Sequence, residues 1–318
     1  MKSKYPLNGI VVSLNTPFNV SGKIDFESLG RSIEMHLREG SSGFLAPAQA
    51  GEVSALSLGE RTEIVQFVQM YVGTRATFIA GATGPSVEES SIVAEAALKA
   101  GCDAVLVEIP QAYRFSRGAT QKFCDSIARI GMPTLVIQDL DWNGFGLDVA
   151  WIVELFEAID SFRCIKVEVR PAGPKYSAVI KATDGRLTVA GGWAADQMIE
   201  ALDRGVDIIM PTAMTGMYSK VLRNHRVGNR QHAVNHFHKL LPVLAFTRQH
   251  LDISIQFYKR LFVRRGIFST SVTRKKCLPY DDHHERYGEE LMRYLEETEI
   301  TAPNETISTI GSSGELWE

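Results

Sequence analysis

The strongest constraint in this chain is a repeat of form: an amphipathic segment, a glycine, then a short apolar run. It occurs as Arg38-Glu39-Gly40 before Gly43-Phe44-Leu45 and as Lys99-Ala100-Gly101 before Ala104-Val105-Leu106-Val107. It returns as Arg129-Ile130-Gly131 before Thr134-Leu135-Val136-Ile137, and as Asp203-Arg204-Gly205 before Asp207-Ile208-Ile209-Met210. A glycine just past the last helical turn takes the left-handed conformation that other residues resist, so the chain can leave the helix and enter a strand. Short apolar runs without alternation suit strands covered on both faces, and strands separated by helices run parallel. The pattern predicts eight strands, at about 9–15, 43–48, 76–82, 103–109, 133–139, 162–168, 187–192 and 207–212.

Eight strands alternating with helices predict an α/β fold, a (β/α)8 TIM barrel, over residues 1–225. No G-x-G-x-x-G follows the first strand, which argues against a dinucleotide-binding open sheet. Two helix starts are readable. Ser57-Leu58-Gly59-Glu60 has the spacing of a capping box, and Glu88 and Glu89 place acids in a first turn after Ser86. Residues 226–300 exceed what one closing helix needs. Helical periodicity over 227–251, 254–265 and 285–297, broken at Leu278-Pro279-Tyr280, predicts a C-terminal helical extension of the same domain. Residues 301–318, with Pro303, Gly311, Ser312, Ser313 and Gly314, read as a mobile polar tail.

Composition matters here for what it excludes. A net charge of −3 gives no electrostatic footprint for nucleic acid or an acidic membrane surface. No apolar stretch approaches the length of a membrane span, and the N-terminal Met1-Lys2-Ser3-Lys4 has no apolar run behind its charges. Cys102, Cys124, Cys164 and Cys277 lack paired spacing; Cys102 and Cys164, in or beside strands, read as small buried hydrophobes. A cytoplasmic protein is the expectation. His232 and His236 stand one helical turn apart with no third ligand at a strand end, so no metal is expected.

One residue conflicts with its surroundings. Lys166 is the only lysine in any predicted strand, within Phe162-Arg163-Cys164-Ile165-Lys166-Val167-Glu168. A strand covered on both faces has no place for a solvated ammonium. Either the side chain snorkels from the strand end or pairs with Glu168, which shares its face at period two, or the amine is held in a dry pocket as a nucleophile toward a carbonyl. Barrels of this kind carry their chemistry at the carboxyl ends of the strands. Those ends hold Asn15-Thr16-Pro17, Ala48-Gln49-Ala50-Gly51-Glu52, Glu108, Gln138-Asp139, Lys166, Gly191-Gly192 and Met210-Pro211.

From its start to about residue 297 the chain resembles the dihydrodipicolinate synthase / N-acetylneuraminate lyase family of pyruvate-type class I aldolases. The resemblance is carried by Gly9-Ile10-Val11-Val12, Thr16-Pro17-Phe18, Gly51-Glu52, Leu56-Ser57, Glu60-Arg61, Gly81, Ile165-Lys166, Thr273-Arg274 and Leu278-Pro279, in order and spacing. It implies that Lys166 forms a Schiff base with a small 2-oxo acid, without a cofactor. It also implies that the loop at Gln49, Ala50 and Gly51 holds the substrate carboxylate through backbone N–H groups, with Gly191 and Met210 beside the substrate. Tyr113 is expected near a tight interface of a homodimer or homotetramer.

Two departures stand out. The family's G-T-T-G-E or G-S-T-G-E loop is Ala48-Gln49-Ala50-Gly51-Glu52 here, without hydroxyls. The family's strand-5 tyrosine, its general acid/base, is Gln138 here, and an amide does not titrate. Glu168 and Asp139 are the expected replacements, with Glu108 and Asp141 nearby; Asp141 and Glu52 otherwise read as solvated or capping loop residues. The synthase's second-carboxylate arginine is matched by Asn143, which argues against lysine biosynthesis. The sequence therefore predicts a lyase of aldolase or hydro-lyase type. A barrel that only binds a small carbonyl or carboxylate ligand is the alternative.

Overall fold

Gly40, Gly101, Gly131 and Gly205, the four glycines of the repeat, adopt φ of 93°, 80°, 90° and 89°. Each ends a helix and starts a strand, as its left-handed backbone requires. The structure, a computed structural model, describes residues 7–192, 195–274 and 276–300. In chain order it contains β1 (Gly9–Ser13), α1 (Phe26–Arg38), β2 (Gly43–Ala46), α2 (Leu58–Val72), β3 (Thr77–Gly81) and α3 (Val87–Ala100). Then come β4 (Ala104–Glu108), α4 (Arg117–Ala128), β5 (Leu135–Leu140), α5 (Val149–Ala158), β6 (Phe162–Glu168) and α6 (Ala172–Ala182). The barrel ends with β7 (Thr188–Gly191), α7 (Met198–Asp203), β8 (Ile208–Ile209) and α8 (Thr215–Arg226). The strands form one closed parallel barrel in sequence order, the TIM barrel expected.

Local chemistry sets these elements. Ser57 accepts from the Glu60 N–H while the Glu60 carboxylate accepts from the Ser57 N–H, completing the capping box of α2. Ser86 caps α3, with Glu88 and Glu89 in its first turn. β8 is shorter than the sequence run, yet Met210 N donates to Gly191 O at 3.2 Å and Ser13 N to Pro211 O at 2.8 Å, so the ladder continues past it. β6 carries one residue more than β5 pairs with: the register shifts between Leu135 and Val136, and Arg163 points to solvent. That shift sets Cys164, Lys166 and Glu168 on the face that looks into the barrel.

The barrel interior is filled by side chains from every strand, among them Val11, Leu45, Ile79, Leu106, Val136, Cys164, Ala190 and Ile208. Counting two residues onward from Leu106, Val136 and Cys164 gives Glu108, Gln138 and Lys166. These three are direct neighbours across β4, β5 and β6. The polar row thus sits immediately above the apolar layer.

After α8 come α9 (Arg230–His238), α10 (Leu241–Thr247) and α11 (Leu251–Arg264), within a compact unit that runs to Tyr280. The second unit, from Asp281, holds α12 (Asp282–Ile300), longer at both ends than the 285–297 expected. The tail proposed for 301–318 lies outside the described residues. Among the described residues no helix is long and apolar enough to cross a membrane. Cys102, Cys124 and Cys164 are buried free thiols, and burial pushes the first two up to about 12.

Candidate active site

Lys166 ends up where its strand has no apolar layer left to fill. It is 5% exposed, between Gln138 on β5 and Ala190 on β7. Its Nζ lies 3.3 Å from Glu168 Oε2, two residues up the same face. The same oxygen is held from β5 as well, because Gln138 Nε2 donates to Glu168 Oε2. The amide that stands where a tyrosine was expected therefore acts on the amine's neighbour: it fixes Glu168. The end of β7 makes room for this arrangement. A Cβ on Gly192 would sit 1.7 Å from Glu168 Oε1, so only glycine leaves a seat for the carboxylate.

A cleft of about 690 Å³ empty volume, open to solvent, is lined here by Lys166, Glu168, Gln49, Ala50, Gly192 and Met210. Its far wall comes from the helices after the barrel, through Tyr218 of α8, Thr247 of α10, Leu251 and Tyr258 of α11, and Arg248 between α10 and α11. Arg248 pairs with Asp196 and donates to the Gly192 carbonyl at 3.3 Å, tying the β7 loop to those helices. Burial pushes the Asp196 carboxyl up, against the pull of Arg248. A second lobe of about 1190 Å³ shares Gln49, Trp142 and Arg248 with the first and is lined further by Glu108, Asn143 and Arg170.

In the loop after β2, the Gly51 N–H expected as a donor to substrate is already engaged. The Gly51 N–H donates to the Ala48 carbonyl at 2.9 Å and the Glu52 N–H to Gln49 at 3.1 Å, so both are spent within the turn. Gly51 is required for another reason: a Cβ there would lie 2.9 Å from the Leu14 carbonyl. Asn15 Nδ2 donates to Ala50 O at 2.6 Å and Thr16 Oγ1 to Gly51 O at 2.7 Å, which locks the loop to the end of β1. Gln49 reaches sideways, its Nε2 donating to Glu108 Oε2 at 3.0 Å. Gln49 and Ala50 face the cleft; Gly51 does not line it.

Asp139 requires a correction. One residue past Gln138, it lies on the opposite face of β5, pairs with Lys175 of α6 and accepts from the Leu147 N–H at 2.9 Å. Burial pushes its carboxyl up and Lys175 pulls it down, so it serves the contact between β5 and α6 and is not beside Lys166. Tyr113 is half-buried, its ring 5.9 Å from that of Phe123 on α4, and lines neither lobe. Gly191 belongs to the β7 ladder opposite Val167, and Gly192 lines the cleft in its place. Asp141 pairs with Arg114 at 2.9 Å and accepts from Gly146 N at 3.2 Å, a capping role. Glu52 is no solvated loop residue: it is 1% exposed and paired with the wholly buried Lys259 of α11. Tyr176 of α6 is a wholly buried phenol outside the cleft lining. Burial first, then the charge of Glu168, push it well above its ordinary range, which keeps its proton in place.

The residue that sequence reasoning underrated is Glu108. The alternation Ala104, Leu106, Glu108 marks it as inward-facing, just as the step from Gln138 to Asp139 marks the latter as outward. Arg248 gave no such signal, since its position depends on how the later helices pack.

The family model described as "Dihydrodipicolinate synthetase family" matches residues 6–298. A 4-hydroxy-tetrahydrodipicolinate synthase of Ectopseudomonas mendocina is 36% identical over 102 residues, 32% of this chain and 35% of that protein. The chain thus matches about a third of the length of that curated relative. A dihydrodipicolinate synthetase structure from Pseudomonas aeruginosa superposes with a TM-score of 0.83 at 21% identity, covering 91% of this chain and 99% of that one. A prophage protein from E. coli K12, of the dihydrodipicolinic acid synthase family and in complex with pyruvate, gives 0.82 at 20%, over 92% and 99%. At such identities the two structures establish the fold alone.

Proposed function

The chain belongs to the dihydrodipicolinate synthetase family, and on that premise we propose that it is a lysine Schiff-base lyase, of aldolase or hydro-lyase type, acting on a small 2-oxo acid. The observation that carries this reading is the buried Lys166 amine facing an open cleft, with Glu168 at 3.3 Å. The amine attacks the C2 carbonyl, and the carbinolamine loses water to give the imine. That step needs an acid at the departing oxygen and then a base for a C3 proton. Gln138 can do neither, but it holds Glu168 by a hydrogen bond, so the acid/base group in this reading is Glu168. Asn143 stands where the synthase places its arginine for a second carboxylate, so lysine biosynthesis is not the proposed role.

The assembly is a homodimer or homotetramer in this reading. Phe115 and Phe145, 89% and 75% exposed on the loops after β4 and β5, are surfaces that a second copy would cover. The test of function is C3 hydrogen exchange of pyruvate in D2O, followed by proton NMR. The parent exchanges and Lys166→Ala does not; equal exchange in both refutes the reading. Imine formation without turnover of any 2-oxo acid would identify a binding protein instead.

A further inference from the structure

The reading above employs one carboxylate, and the cleft holds two. Glu108, Gln138 and Lys166 are consecutive neighbours across β4, β5 and β6, all facing inward. Glu108 therefore stands two strands from Lys166, about 10 Å between backbones, with its side chain converging on the same axis. Lys166 and Glu168 line the first lobe, Glu108 lines the second, and Gln49 lines both. Gln49 is thus the wall shared by the lobe of Lys166 and the lobe of Glu108.

We propose that Glu108 is the second acid/base residue of the site, donating a proton to the C4 hydroxyl of a 4-hydroxy-2-oxo acid held on Lys166. This rests on the Schiff-base reading. Two bonds hold the donor in place: Gln49 Nε2 donates to Oε2 at 3.0 Å, and the Glu108 N–H donates to Thr83 Oγ1 at 3.0 Å. With Oε2 accepting from Gln49, Oε1 is the oxygen that can carry the proton in this proposal. The charged groups acting on Glu108 are Glu168 and Lys166 on β6 and Arg114 after β4, and Arg170, Arg248 and His250 line the same lobe. Burial pushes the carboxyl up, the Gln49 bond pulls it down, the Glu168 charge raises it, and Lys166 and Arg114 lower it, with a net rise. Position then divides the roles: Glu168, against the Lys166 amine, is the base, and Glu108, in the second lobe, is the acid.

The step balances without a co-reactant. From the imine, Glu168 takes a C3 proton and the electron pair enters the C2–C3 bond. That pair then forms C3–C4 as the C4–O bond breaks, and the hydroxyl leaves as water with the Glu108 proton. Hydrolysis of the unsaturated imine returns the Lys166 amine and a 2-oxo-3-enoic acid, and solvent carries the proton from Glu168 back to Glu108.

The experiment uses the full chain with 4-hydroxy-2-oxo acids prepared from pyruvate and acetaldehyde, glycolaldehyde, glyceraldehyde or benzaldehyde. Water loss is followed by enone absorbance; pyruvate exchange and borohydride trapping run beside it. Glu108→Gln should lower dehydration about 10²–10⁴-fold and abolish the alkaline limb of the pH–rate profile, with exchange and trapping kept. Added formate should partly restore Glu108→Ala. Dehydration unchanged in Glu108→Gln, exchange lost with it, or a panel cleaved or untouched by a parent that still traps pyruvate each overturns the role of Glu108 and leaves the imine standing. A parent that traps no pyruvate overturns the reading beneath it.

Discussion

Gly192→Ala isolates the seat of Glu168 without touching any titrating group. Gly192 has no left-handed φ, so alanine fits the backbone, but its Cβ would lie 1.7 Å from Glu168 Oε1. A carbon–oxygen contact needs about 3.3 Å, so the carboxylate must retreat by roughly 1.5 Å. If it retreats from Lys166, the 3.3 Å contact opens to about 5 Å. At an effective dielectric of about 20 the attraction then falls from about 5 to about 3.5 kcal/mol. Felt in full in the barrier, that loss is about tenfold in rate, and the cost of misplacing a catalytic group by an ångström, about 10², sets the upper bound. The assay is C3 exchange of pyruvate by NMR, with borohydride trapping and thermal unfolding as controls. Exchange should fall about 10–100-fold while trapping and melting temperature hold. Exchange at the parent's rate would refute the role given to Glu168.

Two further predictions concern what holds the site's frame. Lys259, wholly buried, pairs with Glu52, donates to the Val272 carbonyl at 2.8 Å and lies 4.4 Å over the Phe18 ring; Lys259→Met should cost about 3–5 kcal/mol by removing one half of a buried pair, and chemical denaturation showing under 1 kcal/mol, on the order of a surface pair, would contradict this. Hydrogen bonds from Arg274 hold the Glu60 carboxyl down to about 2, against an ordinary 4.5. A depressed carboxyl stabilises the fold above its unfolded pKa and loses that contribution as pH falls toward 2. The melting-temperature gap between parent and Arg274→Ala should therefore be constant above pH 5 and narrow below it; a gap independent of pH would rule the pair out as its source.

How far the sequence reaches can be judged from particular residues. Gly40, Gly101, Gly131 and Gly205 announced the barrel because a left-handed cap is a local requirement that only glycine meets cheaply. Lys166 was readable for the opposite reason, a charge that its own strand cannot accommodate. Glu108 and Asp139 both sit at the barrel mouth in sequence, and only the two-residue period separates the inward face of the first from the outward face of the second. Glu52 read as a loop acid because its partner Lys259 is remote in sequence and brought close only by packing. The seat that Gly192 makes for Glu168, and the tie from Arg248 to Asp196, depend on the relative placement of β6, β7 and α10, which no local pattern encodes.

The central claim is that Lys166 forms an imine, and borohydride reduction in the presence of pyruvate tests it most directly. Intact mass and peptide mapping should show one reduced pyruvate per chain, on Lys166, in the parent and in Glu168→Gln, and none in Lys166→Ala or in Lys166→Arg, whose guanidinium stays charged. Label on another lysine, or label that persists in Lys166→Ala, would contradict the account.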